Sequence, residues 1–273
     1  EGEEQVATEA VTFLRQVALG EPMKIGQRVA VVGGGNAAID AARTALRLGA
    51  KEVTILYRRT RQEMPALEEE VHEAEAEGVT LVLLVAPTKM WREGEAIKVQ
   101  LQRMKLGEMD ASGRRRPEPV AGSEFVVELD TIIAAVGQVP QLPPGFDLPA
   151  TRGNTLTADE DSLATPVAGV FAGGDCVTGP ATVIQSIAQG RRAAISIDRY
   201  LGGDGDISEV LLPPEVGAAA TVPVDEGERP RVPIPMVKGV HLQGFAACEL
   251  GYSPDMAVDE ARRCLNCDLE RGG

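Results

Sequence analysis

Apolar positions in the first third of the chain alternate between a helical and a strand-like period. Residues 5–17 read as a helix, with Val6, Ala10, Phe13, Leu14 and Val17 near one face and Gly20 and Pro22 as its stop. Residues 28–32, Arg-Val-Ala-Val-Val, are an apolar run of strand length, and Gly33-Gly34-Gly35 follows at once. Over 36–48 the spacing turns helical, with Ala38, Ala41, Ala42 and Ala45 on one face and Gly49 placed as terminator. A second strand is predicted over 53–57. Pro65 suits the first turn of a helix reaching Glu77, with Gly78 as its stop, and 79–85 reads as a third strand. This order predicts a parallel sheet covered by helices.

After Pro87 the pattern changes. Two antiparallel strands, 88–92 and 95–104, flank Glu93-Gly94. A turn at Asp110–Gly113, a basic turn Arg114-Arg115-Arg116, and strands at 125–129 and 131–136 come next. Residues 138–166, rich in Pro and Gly, read as a crossover into a second domain. A short strand at 169–173 and a helix over 181–201 follow. Residues 202–244 read as an extended tail, with one short helix over 255–265.

Only 3% of residues are aromatic, so Val, Ile, Leu and Ala must fill the interior. Thirty glycines and eighteen prolines suit an α/β chain with many tight turns better than a helical bundle. A formal charge of −14 argues against general nucleic-acid binding, though a local basic cluster can still hold a phosphorylated ligand. No apolar run approaches the length of a membrane span, and the first residues resemble neither a secretion signal nor a transit peptide, so the cytoplasm is expected. Four cysteines, two isolated and two in a Cys-x-x-Cys pair, do not make a secreted disulfide scaffold.

Gly33-x-Gly35-x-x-Ala38, between a predicted strand and a predicted helix, is the sequence feature with the sharpest chemistry. Gly33 permits a turn that a side chain would strain, Gly35 lets backbone approach a pyrophosphate, and Ala38 lets helix and strand pack closely. The first helical residues, Asn36 and Ala37, then present N–H groups to the anion. A ligand-free glycine turn is the bland alternative. An NAD site places a carboxylate at the end of the second strand, but here that strand ends Leu56-Tyr57-Arg58-Arg59. Arg58 and Arg59 therefore point to the 2′-phosphate of NADP(H), the alternative being a solvated basic face. His72 reads as a surface residue, His241 has no triad around it, and Cys176 reads as a packed thiol.

Three runs carry a resemblance. They are Val31–Ala42 with Thr54–Arg59 and Glu63–Ala66, then Ala134–Gly137, then Gly169–Asp175 with Gly179–Ala188. Together they resemble the small-subunit family of NADPH-dependent glutamate synthase, within the FAD-dependent pyridine nucleotide oxidoreductases. The resemblance implies an α/β fold: a Rossmann-like NAD(P)-binding domain with antiparallel crossover strands, plus part of a second, FAD-binding-type domain. It implies a linker helix at 1–20, an NADP(H)-binding domain at 21–138, the second half of an FAD domain at 139–203, and a tail at 204–273. Gly137 would then be a cofactor-binding residue, and Gly174, Asp175, Ala181, Thr182 and Val183 would serve FAD, with Asp175 near the ribityl or phosphate region and 181–183 near the isoalloxazine edge. For Asp175 the alternative is a capping or turn residue.

The family has an earlier fingerprint for the ADP part of FAD, and none precedes residue 33 here. A fragment is therefore expected, with an incomplete FAD site completed by a longer parent chain or a partner lobe. The resemblance implies hydride transfer between NADPH and FAD and electron transfer onward to an iron–sulfur subunit or domain. No side chain is assigned as catalytic, because the cofactors carry the chemistry. Cys264-Leu-Asn-Cys267 resembles the start of a cluster-binding segment, and a truncated [4Fe–4S] site, no metal, zinc and a redox dithiol all stay open. The alternative function is a nicotinamide-binding regulatory or scaffold module without turnover.

Overall fold

A computed structural model of the chain describes residues 2, 6–110, 113–143, 145, 147–208, 230–237 and 244–263. These divide into two compact units, one comprising 1–136 with 221–273, the other 137–220.

The first unit is built on a five-stranded parallel sheet. In chain order its strands are β1 (Ala7–Glu9), β2 (Arg28–Val32), β3 (Glu52–Tyr57), β4 (Thr80–Leu83) and β9 (Thr131–Ala134), arranged β1-β9-β2-β3-β4. Helices α1 (Ala10–Ala18), α2 (Asn36–Arg47) and α3 (Glu68–Glu77) connect them. A second, antiparallel sheet holds β5 (Val85–Glu93), β6 (Ala96–Met109), β7 (Arg115–Pro119) and β8 (Phe125–Leu129), all paired through the long β6. The fold class is the expected one: a Rossmann-like parallel sheet with antiparallel strands, plus a second unit.

Alternation along β2 explains the layering. Val29 and Val31 face one way and bury against Phe13, Ile39, Ala41 and Ala45 of the helices. Ala30 and Val32 face the other way and bury against Val85, Ile97, Val99 and Leu101 of the antiparallel sheet. Helices thus cover only one face of the parallel sheet, where the sequence pattern suggested helices alone. Ala38, Ala41, Ala42 and Ala45 are all fully buried. Their small side chains let α2 lie close on the strands, and a larger one at any of the four would overpack the seam.

Several boundaries differ from the pattern-based reading. The first helix begins only at Ala10, because Ala7–Glu9 is drawn into parallel pairing with Ile132–Ala134. The helix expected from Pro65 begins at Glu68, and a 3₁₀ turn at Arg61–Glu63, closed by a Thr60/Glu63 capping box, precedes it. The single strand expected over 79–85 breaks at Leu84, whose φ of +55° turns the chain from one sheet into the other. The basic stretch 114–116 enters β7 instead of forming a turn of its own. Residues 169–173 contribute only an isolated bridge, Ala164 to Phe171.

Two pieces of the later chain, 230–237 and 244–263, also belong to the first unit. Val237 N–H donates to the Cys248 carbonyl at 2.8 Å and Leu250 N–H to the Pro235 carbonyl at 2.9 Å, pairing the two pieces. This pair meets α2 and α3 at a charge cluster. Arg43 and Arg47 both donate to Glu77 Oε1, at 2.6 and 3.0 Å, and both lie within 3.9 Å of the Cys248 sulfur. Helix α6 (Pro254–Ala261) follows, capped by the Ser253 hydroxyl. Cys264, Cys267 and His241 lie outside the described residues.

The second unit contains α4 (Asp175–Thr178) and α5 (Val183–Tyr200). Leu156, Leu163 and Ala172 are its buried apolar residues, and Phe171 meets Tyr200 edge-on at 5.8 Å between ring centroids. Among the described residues, no helix is long and apolar enough to cross a membrane.

Candidate functional site

The carboxyl ends of β2, β3 and β9 meet where the strand order changes direction, the crevice in which open parallel sheets place ligands. The glycine turn sits there and is held on three sides. Gly33 N–H donates to the Leu56 carbonyl at 3.0 Å, and Ala66 N–H donates to the Gly34 carbonyl at 3.1 Å. Beneath Gly34 lies the Tyr57 ring, whose hydroxyl donates to the Glu63 carbonyl at 2.6 Å.

The three glycines differ in what surrounds them. At Gly33, with φ +147°, a Cβ would lie 2.3 Å from the Ala135 carbonyl oxygen. At Gly34 it would lie 2.6 Å from the Tyr57 ring. At Gly35 it would meet nothing within 4 Å, and the backbone there, φ −95° and ψ 177°, is ordinary extended chain. Gly33 and Gly34 are therefore required by the fold, whereas the absent side chain of Gly35 leaves open space at the start of α2. Gly35 is the N-cap and supplies no side-chain hydrogen bond, so the first N–H groups of α2, at Asn36 and Ala37, open toward that space. Ala38 is fully buried against the strands. A cradle that a side chain would fill, at a helix start without a side-chain cap, fits a phosphate-linked dinucleotide.

The two arginines beyond β3 part company. Arg58 is exposed. Arg59, two residues past the end of β3, turns inward and is 5% exposed. Its Nη2 donates to Asp110 Oδ2 and its Nε to the Arg115 carbonyl, both at 2.7 Å. The expectation that both guanidiniums stand at the strand tip therefore gives way to one exposed and one buried. The sequence reading missed Asp110, and a carboxylate four residues before a basic run gave no local signal of a partner fifty-one residues upstream.

In the second unit, Asp175, Ala181, Thr182 and Val183 come together around an open pocket of about 360 Å³, with Ser186 and Ile187 completing its lining. Asp175 Oδ1 accepts from Ala181 N–H at 3.2 Å, and Gly174, at φ +74°, sets the turn before it. The turn role weighed for Asp175 is thus present alongside a place on the pocket wall. Thr182 caps α5 through its hydroxyl, which accepts from Gln185 N–H, while Thr182 N–H donates to Gln185 Oε1. This capping box satisfies two of the four N–H groups at the helix start and leaves those of Val183 and Ile184. Ser186 and Ile187 were legible in principle, lying three and four residues past Val183 on the same helix face. Val183, Ile184 and Ile187 are 75, 79 and 66% exposed, an apolar surface that nothing in the chain's described residues covers. Gly137, at φ +118°, opens this unit and turns the chain leaving β9.

The remaining candidates are quieter. His72 is exposed on α3, within 3.2 Å of Arg61 Nη2. The Cys176 thiol donates to the Gly173 carbonyl. Among the described residues no cluster of three His, Cys, Asp or Glu side chains is disposed to hold a metal ion.

Known proteins bear out the likeness. The chain is 42% identical over 298 aligned residues to the NADPH-Fe(3+) oxidoreductase subunit beta of Geobacter sulfurreducens, covering 94% of this chain and 44% of that protein. It is 45% identical to the NADP(+)-dependent formate dehydrogenase subunit beta of Moorella thermoacetica, covering 94% of this chain and 38% of that protein. Against the glutamate synthase small chain of Azospirillum brasilense the figures are 40%, 71% and 43%. The chain thus spans less than half the length of these relatives. Among solved structures, Mycobacterium tuberculosis FprA in complex with NADPH matches at TM-score 0.58 and 18% identity, over 72% of this chain and 60% of that one. Lactococcus lactis thioredoxin reductase matches at TM-score 0.53 and 21% identity, over 72% and 57%. Both show the shared fold. The model of the pyridine nucleotide-disulphide oxidoreductases matches residues 1–190, which takes in the glycine turn, both sheets and the Asp175–Val183 pocket, and the chain belongs to that family.

Proposed function

We propose that the chain is the nicotinamide-binding part, with a portion of the flavin-binding part, of an NADPH-dependent flavoprotein oxidoreductase that passes electrons onward to an iron–sulfur partner. The observation that carries this reading is the open space above Gly35 at an uncapped helix start, beside two glycines packed tightly into the fold. When bound, NADPH supplies a hydride and FAD accepts it. The chain's own residues bind and orient. Asn36 and Ala37 donate backbone N–H groups to the pyrophosphate, Gly33 and Gly35 leave it room, and Ala38 fixes the helix behind it. Arg58, standing where an NAD site carries a carboxylate, takes the 2′-phosphate. The names of all three relatives carry NADP or NADPH while their other substrates differ, which supports NADP(H) as the shared partner.

In the second unit, Gly174, Asp175, Ala181, Thr182 and Val183 serve the flavin, and Gly137 turns the chain that leads to them. The N–H groups of Val183 and Ile184 favour negative charge on an acceptor at the start of α5, and Asp175 orients a ribityl hydroxyl. The face of Val183, Ile184 and Ile187, which no described residue covers, supports a flavin cradle completed by a lobe outside the described residues. The iron–sulfur role of Cys264 and Cys267 rests on the resemblance of Cys264-Leu-Asn-Cys267 to the start of a cluster-binding segment, and two thiolates leave half of a four-cysteine cluster to other residues. The same uncovered face favours a second reading for the isolated chain, a dinucleotide-binding module without turnover.

One titration separates these readings. The purified chain is examined for flavin absorbance and titrated anaerobically with NADPH and NADH. A flavin band bleached by NADPH supports turnover. NADPH binding without flavin supports the module reading. Failure to bind NADPH defeats both.

A further inference from the structure

Arg59 is a buried guanidinium just beyond β3, at the edge of the dinucleotide site, and it is hydrogen-bonded within the fold. Asp110 joins Arg59 to the connection between β6 and β7. Its Oδ2 accepts from Arg59 Nη2, its Oδ1 accepts from Arg114 N–H at 3.3 Å, and its own N–H donates to the Arg114 carbonyl at 2.7 Å. Arg59 Nε adds a bond to the Arg115 carbonyl. The backbone of Arg59 is tied down as well: its carbonyl accepts from Leu84 N–H at 3.2 Å, and the Leu84 carbonyl accepts from Met104 N–H at 2.7 Å. One residue thus joins the end of β3, the sheet-to-sheet junction and the start of β7.

The stretch secured in this way carries three consecutive arginines, of which Arg115 and Arg116 are exposed. It is fastened to the residue next to Arg58. A phosphate monoester carries nearly two negative charges near neutral pH, and one exposed guanidinium answers that charge only partly through water. Further cations within a Debye length strengthen the hold. The charge of Arg59 itself is taken up by Asp110.

Building on the NADP(H) reading, we propose that Arg59 is a positioning residue: it holds the basic 114–116 stretch at the exit of β3, so that the 2′-phosphate meets cations from both sheets. Arg59 makes no contact with the dinucleotide in this arrangement.

The test is the ratio of NADPH to NADH affinity in the full chain, measured by calorimetry. Asp110→Asn keeps every cation and weakens the latch. The expected result is an NADPH Kd raised about three- to ten-fold, with NADH within about twofold of the parent. A direct phosphate ligand restrained by Asp110 would behave oppositely, so tighter NADPH binding overturns the proposal, and so does an unchanged ratio. If Asp110→Asn fails to fold, the exposed pair Arg115→Gln with Arg116→Gln decides: selectivity lost supports the proposal and selectivity kept overturns it. Arg58→Gln, run alongside, distinguishes the two levels of failure. Selectivity unchanged in Arg58→Gln defeats the 2′-phosphate reading itself and the proposal with it. Selectivity lost there but kept in the 110 and 115/116 variants defeats only the role given to Arg59.

Discussion

Gly33 and Gly35 stand two residues apart in one motif, yet the structure assigns them opposite sensitivities. Consider Gly35→Val. The backbone at 35 is extended, a region valine favours, and a Cβ there meets nothing within 4 Å. Losing glycine as N-cap costs about 0.5–1 kcal/mol. Removing glycine's freedom from the unfolded chain returns about 0.4–1 kcal/mol. The folded state should therefore be nearly as stable as the parent. Binding should not survive, because the isopropyl group fills the space above the start of α2. If the pyrophosphate loses two charge-assisted N–H contacts at about 1.5 kcal/mol each, the deficit of about 3 kcal/mol is more than a hundred-fold in Kd. Gly33→Ala is the counter-experiment. Its Cβ would sit 2.3 Å from a backbone oxygen at a φ of +147°, so the turn must move or the protein lose about 2–4 kcal/mol. Urea denaturation followed by circular dichroism gives stability, and quenching or enhancement of NADPH fluorescence gives affinity. A Gly35→Val protein that is stable and binds NADPH within threefold of the parent would refute the placement of the pyrophosphate. A Gly33→Ala protein as stable as the parent would refute the packing argument.

Two other perturbations probe the frame around the site. Glu77→Gln leaves Arg43 and Arg47, whose side chains are only 17 and 11% exposed, without their shared carboxylate. The expected loss is about 2–4 kcal/mol in urea denaturation, accompanied by faster proteolysis within 244–251, the stretch those arginines touch; unchanged cleavage there would refute the docking role. Asp130 accepts from the Arg28 guanidinium and from the N–H groups of Arg28 and Gln27, and these bonds hold its carboxyl below the usual aspartate range. A depressed carboxyl stabilises the fold above its unfolded pKa of about 3.9, and that contribution disappears as pH falls through the folded value. Asp130→Asn should therefore lose stability at pH 7, with the gap to the parent closing as the pH falls below about 4. A gap that stays constant down to pH 2 would refute the linkage.

Local pattern was enough where local forces decide. The strand at 28–32, the glycine turn and the alanine-faced helix appear where expected, because an apolar run, a turn requiring glycine and a row of small residues are each complete within a dozen positions. Expectation failed where distant chain intervened. Residues 7–9 look helical by spacing, but they lie beside β9, and pairing there outweighs the helical preference. Leu84 is an ordinary apolar residue within an apolar run, and only the presence of a second sheet explains why the strand ends there. Arg59 shows the same for the candidate site. Both arginines lie beyond the end of β3, where no strand period separates them, and burial of the second depends on Asp110, fifty-one residues downstream. The grouping of Asp175 with 181–183 was available only through resemblance, since neither charge nor periodicity links an exposed aspartate to a helix start beyond a Gly-Pro turn.

Leu84 has a consequence for how this chain tolerates length variation. A single residue carries the polypeptide out of one sheet and into the next, with its N–H and its carbonyl bonded to opposite sides of the seam. One residue added there would shift β4 or β5 by a full position and turn its apolar side chains toward water, with no slack nearby to absorb the error. The β5–β6 connection at Gly94–Glu95, by contrast, is exposed and lies at a hairpin tip. Insertions, affinity tags and circular-permutation breaks belong at that tip, and a single alanine inserted beside Leu84 should be among the most damaging one-residue changes the first unit can suffer.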